Sequence, residues 1–238
     1  MVTRTKPKIT TLSPKQAKES NMNKDAVIAG QAVYSKRVLS LYDILVLGIS
    51  NHLIWKCPTK HISQLFIDNV SNNHLDIGVG TGYYLKKHLP ASTQRIAIMD
   101  LNENSLGSTA AAIAQFNPEI YRKNVLEPFN LTCAKFDSVS INYLLHCVPG
   151  DLNEKSVIFA HAKDMMNSGG VFFGSTILGE GLPKSGLAKK LMGVYNQKGI
   201  FCNHKDSLAD LQKTLSEHFV DVSITVKGCV ALFSAKKP

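Results

Sequence analysis

Six short apolar runs recur along the last two-thirds of the chain, each bounded by polar or glycine-containing segments: HLDI, RIAIMD, FDSVSINYLL, GGVFFGSTI, VDVSITV and CVALFSA, starting at His74, Arg95, Phe136, Gly169, Val220 and Cys229. Runs of this length, rich in valine, isoleucine and aromatic residues, read as strands. A weaker run, EIYRKNV from Glu119, adds a seventh. Helical spacing of apolar residues fills most of the intervals, at about 82–89, 104–115, 152–166, 187–195 and 206–219. Strands alternating with helices predict an α/β fold, a doubly wound and mainly parallel sheet. The last two runs touch at Gly228 with no room for a helix, which predicts an antiparallel hairpin at one edge.

Upstream the pattern differs. Val33, Val38, Leu41, Leu45 and Ile49 predict a helix over about 25–50, Pro58 ends it, and a second helix is expected over 61–69. Residues 1–24 are polar and contain Pro7 and Pro14, so a loosely attached tail is expected there. Three segments follow: a basic flexible tail over 1–24, an N-terminal helical part over 25–72, and the main domain over 73–238.

Charge sharpens this division. The formal net charge is +9, and the first 24 residues hold six basic side chains against Glu19 alone, so the rest of the chain is only mildly basic. The tail is either a solvated basic segment or a contact for RNA, a membrane surface or an acidic partner. No apolar run is long enough to span a bilayer and no apolar leader precedes the tail, which predicts a cytoplasmic protein. Cys57, Cys133, Cys147, Cys202 and Cys229 show no C-x-x-C spacing and read as reduced thiols, neither a disulfide framework nor a zinc site.

The candidate chemistry starts at HLDIGVGTGYYLKKHL. Glycine at 78, 80 and 82 lets the backbone turn sharply and approach a ligand with no Cβ in the way. The dinucleotide fingerprint needs a third glycine at 83, where Tyr83 stands, and no Lys-Ser/Thr pair follows to make a phosphate-binding loop. Asp76 sits just before the glycines, where it would repel a phosphate and attract a cationic group. The expected ligand therefore has a positive end and no phosphate. Asp100 closes the next strand, where a carboxylate suits a ribose diol. After the third strand, Asn124 can pair with an adenine edge and Val125 can pack on its face; Asn124 also reads as an ordinary loop cap.

Taken in order, D-x-G-x-G-x-G, Asp100, the Asn124–Val125 pair, FDSVSINYLLHCVPG and GGVFFGSTI resemble the class I S-adenosylmethionine-dependent methyltransferases, in particular the bacterial and fungal small-molecule kind of type 12. The likeness runs from about His74 to the C-terminal hairpin. It implies a Rossmann-like sheet of seven strands with the cofactor across the carboxyl ends of the first four, and N-terminal helices forming a lid over the acceptor. Carried over by position, Asp76, Gly78, Gly80 and Gly82 would floor the methionine side. Asp100 would hold the ribose with Leu101 beside it, and Asn124 and Val125 the adenine. Many relatives carry Asp where this chain has Asn124. Asn142 would lie nearest the sulfonium, and Tyr42 could reach the cofactor carboxylate. Tyr34, Ser50, Asn51, His52 and Trp55 from the lid, with Tyr195, Asn196 and Asn203, are candidates for the acceptor site, or simply pack the lid on the sheet.

Methyl transfer from a sulfonium is an in-line displacement that needs alignment and exclusion of water, and a base only where the acceptor loses a proton. His146 in LLHC is the base candidate by position; otherwise it shapes the pocket. No acidic cluster and no histidine spacing suited to a metal is present, so none is expected. The leading reading is S-adenosylmethionine-dependent transfer to a small, partly apolar metabolite. The alternatives are an RNA or protein methyltransferase docking through the basic tail, a non-catalytic cofactor-binding module, and, against the evidence of Tyr83, an NAD enzyme on a similar sheet.

Overall fold

The computed structural model describes residues 50–238. The 1–24 tail, most of the helix expected over 25–50, and Tyr34 and Tyr42 lie outside the described residues. Within them the predicted alternation is present. Helix α1 (Thr59–Asn69) leads into β1 (Asn73–Ile77), α2 (Tyr83–His88), β2 (Arg95–Asp100), α3 (Glu103–Ala112) and β3 (Glu119–Arg122). Then come β4 (Phe136–Asn142), α4 (Leu152–Lys155), α5 (Val157–Asp164), β5 (Met166–Ile177), α6 (Gly186–Gln197), α7 (Leu208–His218), β6 (Val220–Lys227) and β7 (Val230–Lys236).

The helices begin where polar side chains satisfy the first free amides. Asn102 accepts from the amides of Asn104 and Ser105 at the start of α3, Ser185 from that of Ala188 at α6, and Ser207 from that of Asp210 at α7. Asp151 and Glu154 form a reciprocal capping box at α4. The helix expected over 152–166 is two helices, since the Ser156 hydroxyl donates to the Asn153 carbonyl (2.6 Å) and closes the first turn; β5 begins at Met166, three residues early. The run FDSVSINYLL leaves the sheet after Asn142, because Tyr143 takes a left-handed backbone (φ 55°).

All seven strands form one sheet in the order β3-β2-β1-β4-β5-β7-β6. The pairings from β3 to β5 are parallel, and β7 runs antiparallel to both β5 and β6, as the touching runs at Gly228 predict. Apolar side chains cover both faces. Leu75, Ile77, Val139 and Ile141 pack with Ile158 and Phe159 of α5 and Leu211 and Leu215 of α7. On the other face Ile96, Ile98 and Phe173 pack with Phe66 of α1, Leu85 of α2 and Leu106 of α3. The sheet reverses its winding between β1 and β4, so the carboxyl ends of these strands open a crevice.

Candidate functional site

The crevice takes its floor from the glycine turn. Gly78, Gly80 and Gly82 all have positive φ (75°, 55° and 70°). At Gly78 an added Cβ would lie 2.7 Å from Leu144 Cδ2, so this glycine is required for the loop to pack on the segment after β4. At Gly80 no protein atom lies within 4 Å of the Cβ position, and Gly80 itself lines the cleft, which is about 780 Å³ in volume including its mouth. That space is a cradle for a ligand.

Asp100 is anchored and available together. Its Oδ2 accepts from the Gly80 amide (3.3 Å) and its Oδ1 from the Asn102 amide (2.8 Å), which ties the end of β2 to the glycine turn. Burial raises its pKa and those backbone bonds oppose the rise. Each oxygen keeps a further acceptor direction, and Asp100 lines the cleft.

Asp76 lies below the floor, where the Ser140 hydroxyl donates to its Oδ1. Burial pushes this carboxyl up to about 7, with the nearby Asp100 charge adding to the rise and Ser140 opposing it. A cationic group placed above the floor would favour the ionised form.

The adenine-side candidates are brought together: Leu101, Asn124 and Val125 line the same cleft. Asn124 also organises its own turn, accepting from the Leu126 amide (3.1 Å) and donating to Glu127 Oε1 (3.1 Å). Asn142 is buried; its Oδ1 accepts from the Ser175 hydroxyl (3.0 Å), while its Nδ2 has no hydrogen-bond partner among the described residues. A buried amide without an acceptor costs about 1–3 kcal/mol, which a ligand oxygen would relieve. Asn142 does not itself line the cleft; the Gly80 cradle, Asp100 and the apolar Leu101 and Val125 do, with Asp76 beneath the floor, and they fit a ligand with a diol, a planar base and a cationic end.

Tyr143, Leu144, Cys147, Val148 and Pro149 complete the cleft with a mostly apolar wall. Sequence reasoning treated Tyr143 as a strand residue and missed it, along with Lys123 and Ser105, which also line the cleft. The turn at Tyr143 left no trace in its residue type, because tyrosine is not a residue that favours positive φ.

His146 does not line this cleft. Its Nδ1 faces the Ile177 amide (3.3 Å), and its ring sits edge-on to Phe201 (4.6 Å) and Tyr143 (5.4 Å). Burial and the positive charge of Lys155 push its pKa down to about 3. The ring is therefore neutral, and the nitrogen lone pair a base would use is taken by a backbone amide.

The acceptor candidates gather around Phe201. Trp55 (5.8 Å) and Tyr195 (4.9 Å) pack on its ring in the apolar cluster that Tyr143 and Cys147 border. Asn196 and Asn203 are tied to each other: Asn196 Nδ2 donates to Asn203 Oδ1 (2.9 Å) and Asn203 Nδ2 to the Ile177 carbonyl (2.8 Å). Asn51 is buried, its Nδ2 donating to Thr59 Oγ1 (3.1 Å), and His52 is exposed. A second hollow adjoins the first at Pro149, lined by Asn196, Phe201 and Cys202 with Asp151, His204 and Lys205. Among the described residues no three His, Cys, Asp or Glu side chains converge as metal ligands, and no helix is long and apolar enough to cross a membrane. All five cysteines are free thiols.

A family model described as "Methyltransferase domain" matches residues 75–172. An uncharacterized Escherichia coli (strain K12) protein, YbcY, is 47% identical over 193 residues, covering 79% of this chain and 98% of that one. A Demethylluteothin O-methyltransferase from Streptomyces thioluteus is 39% identical over 210 residues, covering 88% and 91%. Among solved structures, the N-methyltransferase NodS from Bradyrhizobium japonicum WM9 in complex with S-adenosyl-l-homocysteine superposes with a TM-score of 0.60 at 14% identity, covering 92% of this chain and 99% of that one.

Proposed function

This chain belongs to the class I S-adenosylmethionine-dependent methyltransferases, and from that premise we propose that it methylates a hydroxyl group on a small, partly apolar molecule. The observation that carries the reading is the cleft's far wall. Tyr143, Leu144, Cys147 and Val148 present apolar surface beside Asn142 at the end of β4, where an acceptor has to meet the methyl donor. The O-methyltransferase from Streptomyces, similar over 88% of this chain, supports oxygen as the methylated atom.

S-adenosylmethionine supplies an activated methyl on a positively charged sulfur. The chain's own residues bind and align it. Gly78, Gly80 and Gly82 shape the floor, Asp76 sets its charge, and Asp100 takes the ribose hydroxyls. Leu101, Asn124 and Val125 hold the adenine, and Asn142 offers its free amide to the methionine end. Replacing Asp100 by alanine is expected to weaken S-adenosylhomocysteine binding by about 1–3 kcal/mol in calorimetric titration, the range for a lost charge-assisted hydrogen-bond partner. Unchanged affinity would place the ribose elsewhere.

His146 is a neutral support for the wall, not the base. The acceptor hydroxyl then ionises by its own acidity, and the apolar wall excludes competing water. With saturating cofactor, kcat should rise with pH along the acceptor's own pKa and differ between acceptors of different acidity. A limb near pH 6–7 shared by all acceptors would restore a histidine base.

The direct test incubates the full chain with methyl-labelled donor and, separately, a panel of phenols and enols, total RNA and a protein extract. Methyl ethers formed on the small hydroxy compounds are expected. Label entering only RNA or protein would overturn the proposal in favour of a macromolecular acceptor.

A further inference from the structure

The register between β1 and β4 sets His74 opposite Ser138 and Asp76 opposite Ser140. All four side chains point to the same face, in a layer otherwise built of aliphatic and phenylalanine side chains. They touch in series. His74 Nε2 lies 3.0 Å from Ser140 Oγ, whose hydroxyl reaches Asp76. His74 Nδ1 lies 2.7 Å from Ser138 Oγ, which lies 2.8 Å from Ser71 Oγ. Ser71 is half-buried at the opposite end of the strands, so the line runs from beneath the cofactor floor to the far side of the sheet. Isoleucine or valine at these positions would serve packing better, so the polar seam calls for an explanation.

We propose that Asp76, Ser140, His74, Ser138 and Ser71 form a reversible proton relay whose two directions correspond to Asp76 protonated and Asp76 ionised for cofactor binding. The proposal rests on the reading of the cleft as the cofactor site. With Asp76 protonated, each donor points away from it: Asp76 to Ser140, Ser140 to His74 Nε2, His74 Nδ1–H to Ser138, Ser138 to Ser71. Ionisation reverses every bond. The Asp76 proton passes to Ser140, the Ser140 proton to His74 Nε2, the Nδ1 proton to Ser138, the Ser138 proton to Ser71, and one proton leaves Ser71 for water. Each hydroxyl gives one proton and receives one; the imidazole changes tautomer and never carries a charge. The cleft is not needed as the exit, so a bound ligand does not block the proton's path.

The surroundings suit this. Phe173 stacks on the His74 ring (5.7 Å) and Phe66 meets it edge-on (5.5 Å), and burial pushes the ring's pKa down to about 3, so it works as a neutral tautomer. The groups facing Asp76 are Ser140 from β4 and the Asp100 carboxylate from the end of β2. Its pKa of about 7 makes both directions accessible near neutrality.

The test uses the full chain labelled with ¹⁵N-histidine, whose ring nitrogen shifts distinguish the two tautomers. Without ligand, the His74 ring should carry its proton on Nδ1 at pH 6 and on Nε2 at pH 8. Adding S-adenosylhomocysteine at pH 6 should move it to Nε2. The Kd for this ligand should be about tenfold weaker at pH 6 than at pH 8, as for a single ionisation centred near 7. Ser140→Ala should leave the tautomer indifferent to both pH and ligand; Asp76→Asn, which removes the ionising group, should abolish the tenfold pH dependence. A single tautomer in the wild-type chain across pH 6–8 overturns the relay. Absence of ligand binding alongside a tautomer that follows pH would instead remove the reading of the cleft, so the two failures are distinct.

Discussion

Replacing Lys155 by methionine is expected to destabilise the chain by about 3–5 kcal/mol, the usual effect of leaving a buried charge without its partner. Lys155 and Asp206 are fully buried, with Nζ 2.7 Å from Oδ2, and Nζ also donates to the Cys202 carbonyl (2.8 Å). The second oxygen, Asp206 Oδ1, has no hydrogen-bond partner among the described residues. Removing the ammonium therefore strands a carboxylate that burial already disfavours. The double variant Lys155→Met with Asp206→Leu should recover most of the loss, because two apolar side chains of similar size remove the uncompensated charge altogether. Urea unfolding of the three proteins checks both statements; a single-variant effect below about 1 kcal/mol would mean that water reaches Asp206. The pair pins 202–206 beneath the hollow lined by Phe201 and Cys202, so its loss should also loosen the acceptor side before the whole chain unfolds.

Gly80→Val should abolish cofactor binding in practical terms, weakening S-adenosylhomocysteine about a hundredfold or more, which corresponds to about 2.7 kcal/mol. Two effects combine. A β-branched residue at φ 55° is strained, and its side chain would enter the cradle where no protein atom stands within 4 Å. They separate experimentally. Strain lowers the unfolding midpoint of the free protein by an amount equivalent to about 1–3 kcal/mol, while occlusion shows only in the titration. A valine variant that binds normally would mean that the cradle faces away from the cofactor. At Gly82 an added Cβ would instead meet Thr109 Cγ2 at 2.7 Å, so substitution there disturbs packing between α2 and α3 first.

The contrast between these two residues marks what was legible in the sequence. Gly80, Asp76 and Asp100 stand in local patterns, and most of the physics that makes them useful is local too: a tight turn and a strand end. The alternation of strands and helices was legible for the same reason, since periodicity is a property of neighbours. The Lys155–Asp206 pair joins residues 51 apart, and the His74–Ser138–Ser140 seam crosses 64 to 66. Nothing near Lys155 distinguishes it from the chain's many solvated lysines. His74 precedes Asp76 by two positions, yet its partners depend on the β1–β4 register, which no local pattern specifies. His146 shows a mixed case. Its place after β4 was readable, but the amide that occupies its Nδ1 comes from Ile177 on β5. Asn196 and Asn203 were readable only as candidates for the acceptor site, and their mutual hydrogen bonds emerge only when α6 and the following loop are folded.

The left-handed turn at Tyr143 has a consequence for how this protein would evolve. A bulky residue held at φ 55° costs on the order of 1–3 kcal/mol, a large share of the ~5–15 kcal/mol that keeps a domain folded. Glycine at the same position would remove that tension and leave a hole in the wall beside the methyl donor. Selection for heat resistance alone would therefore push the chain toward glycine here and erode the wall, and only continued demand for turnover on the acceptor would hold the tyrosine in place.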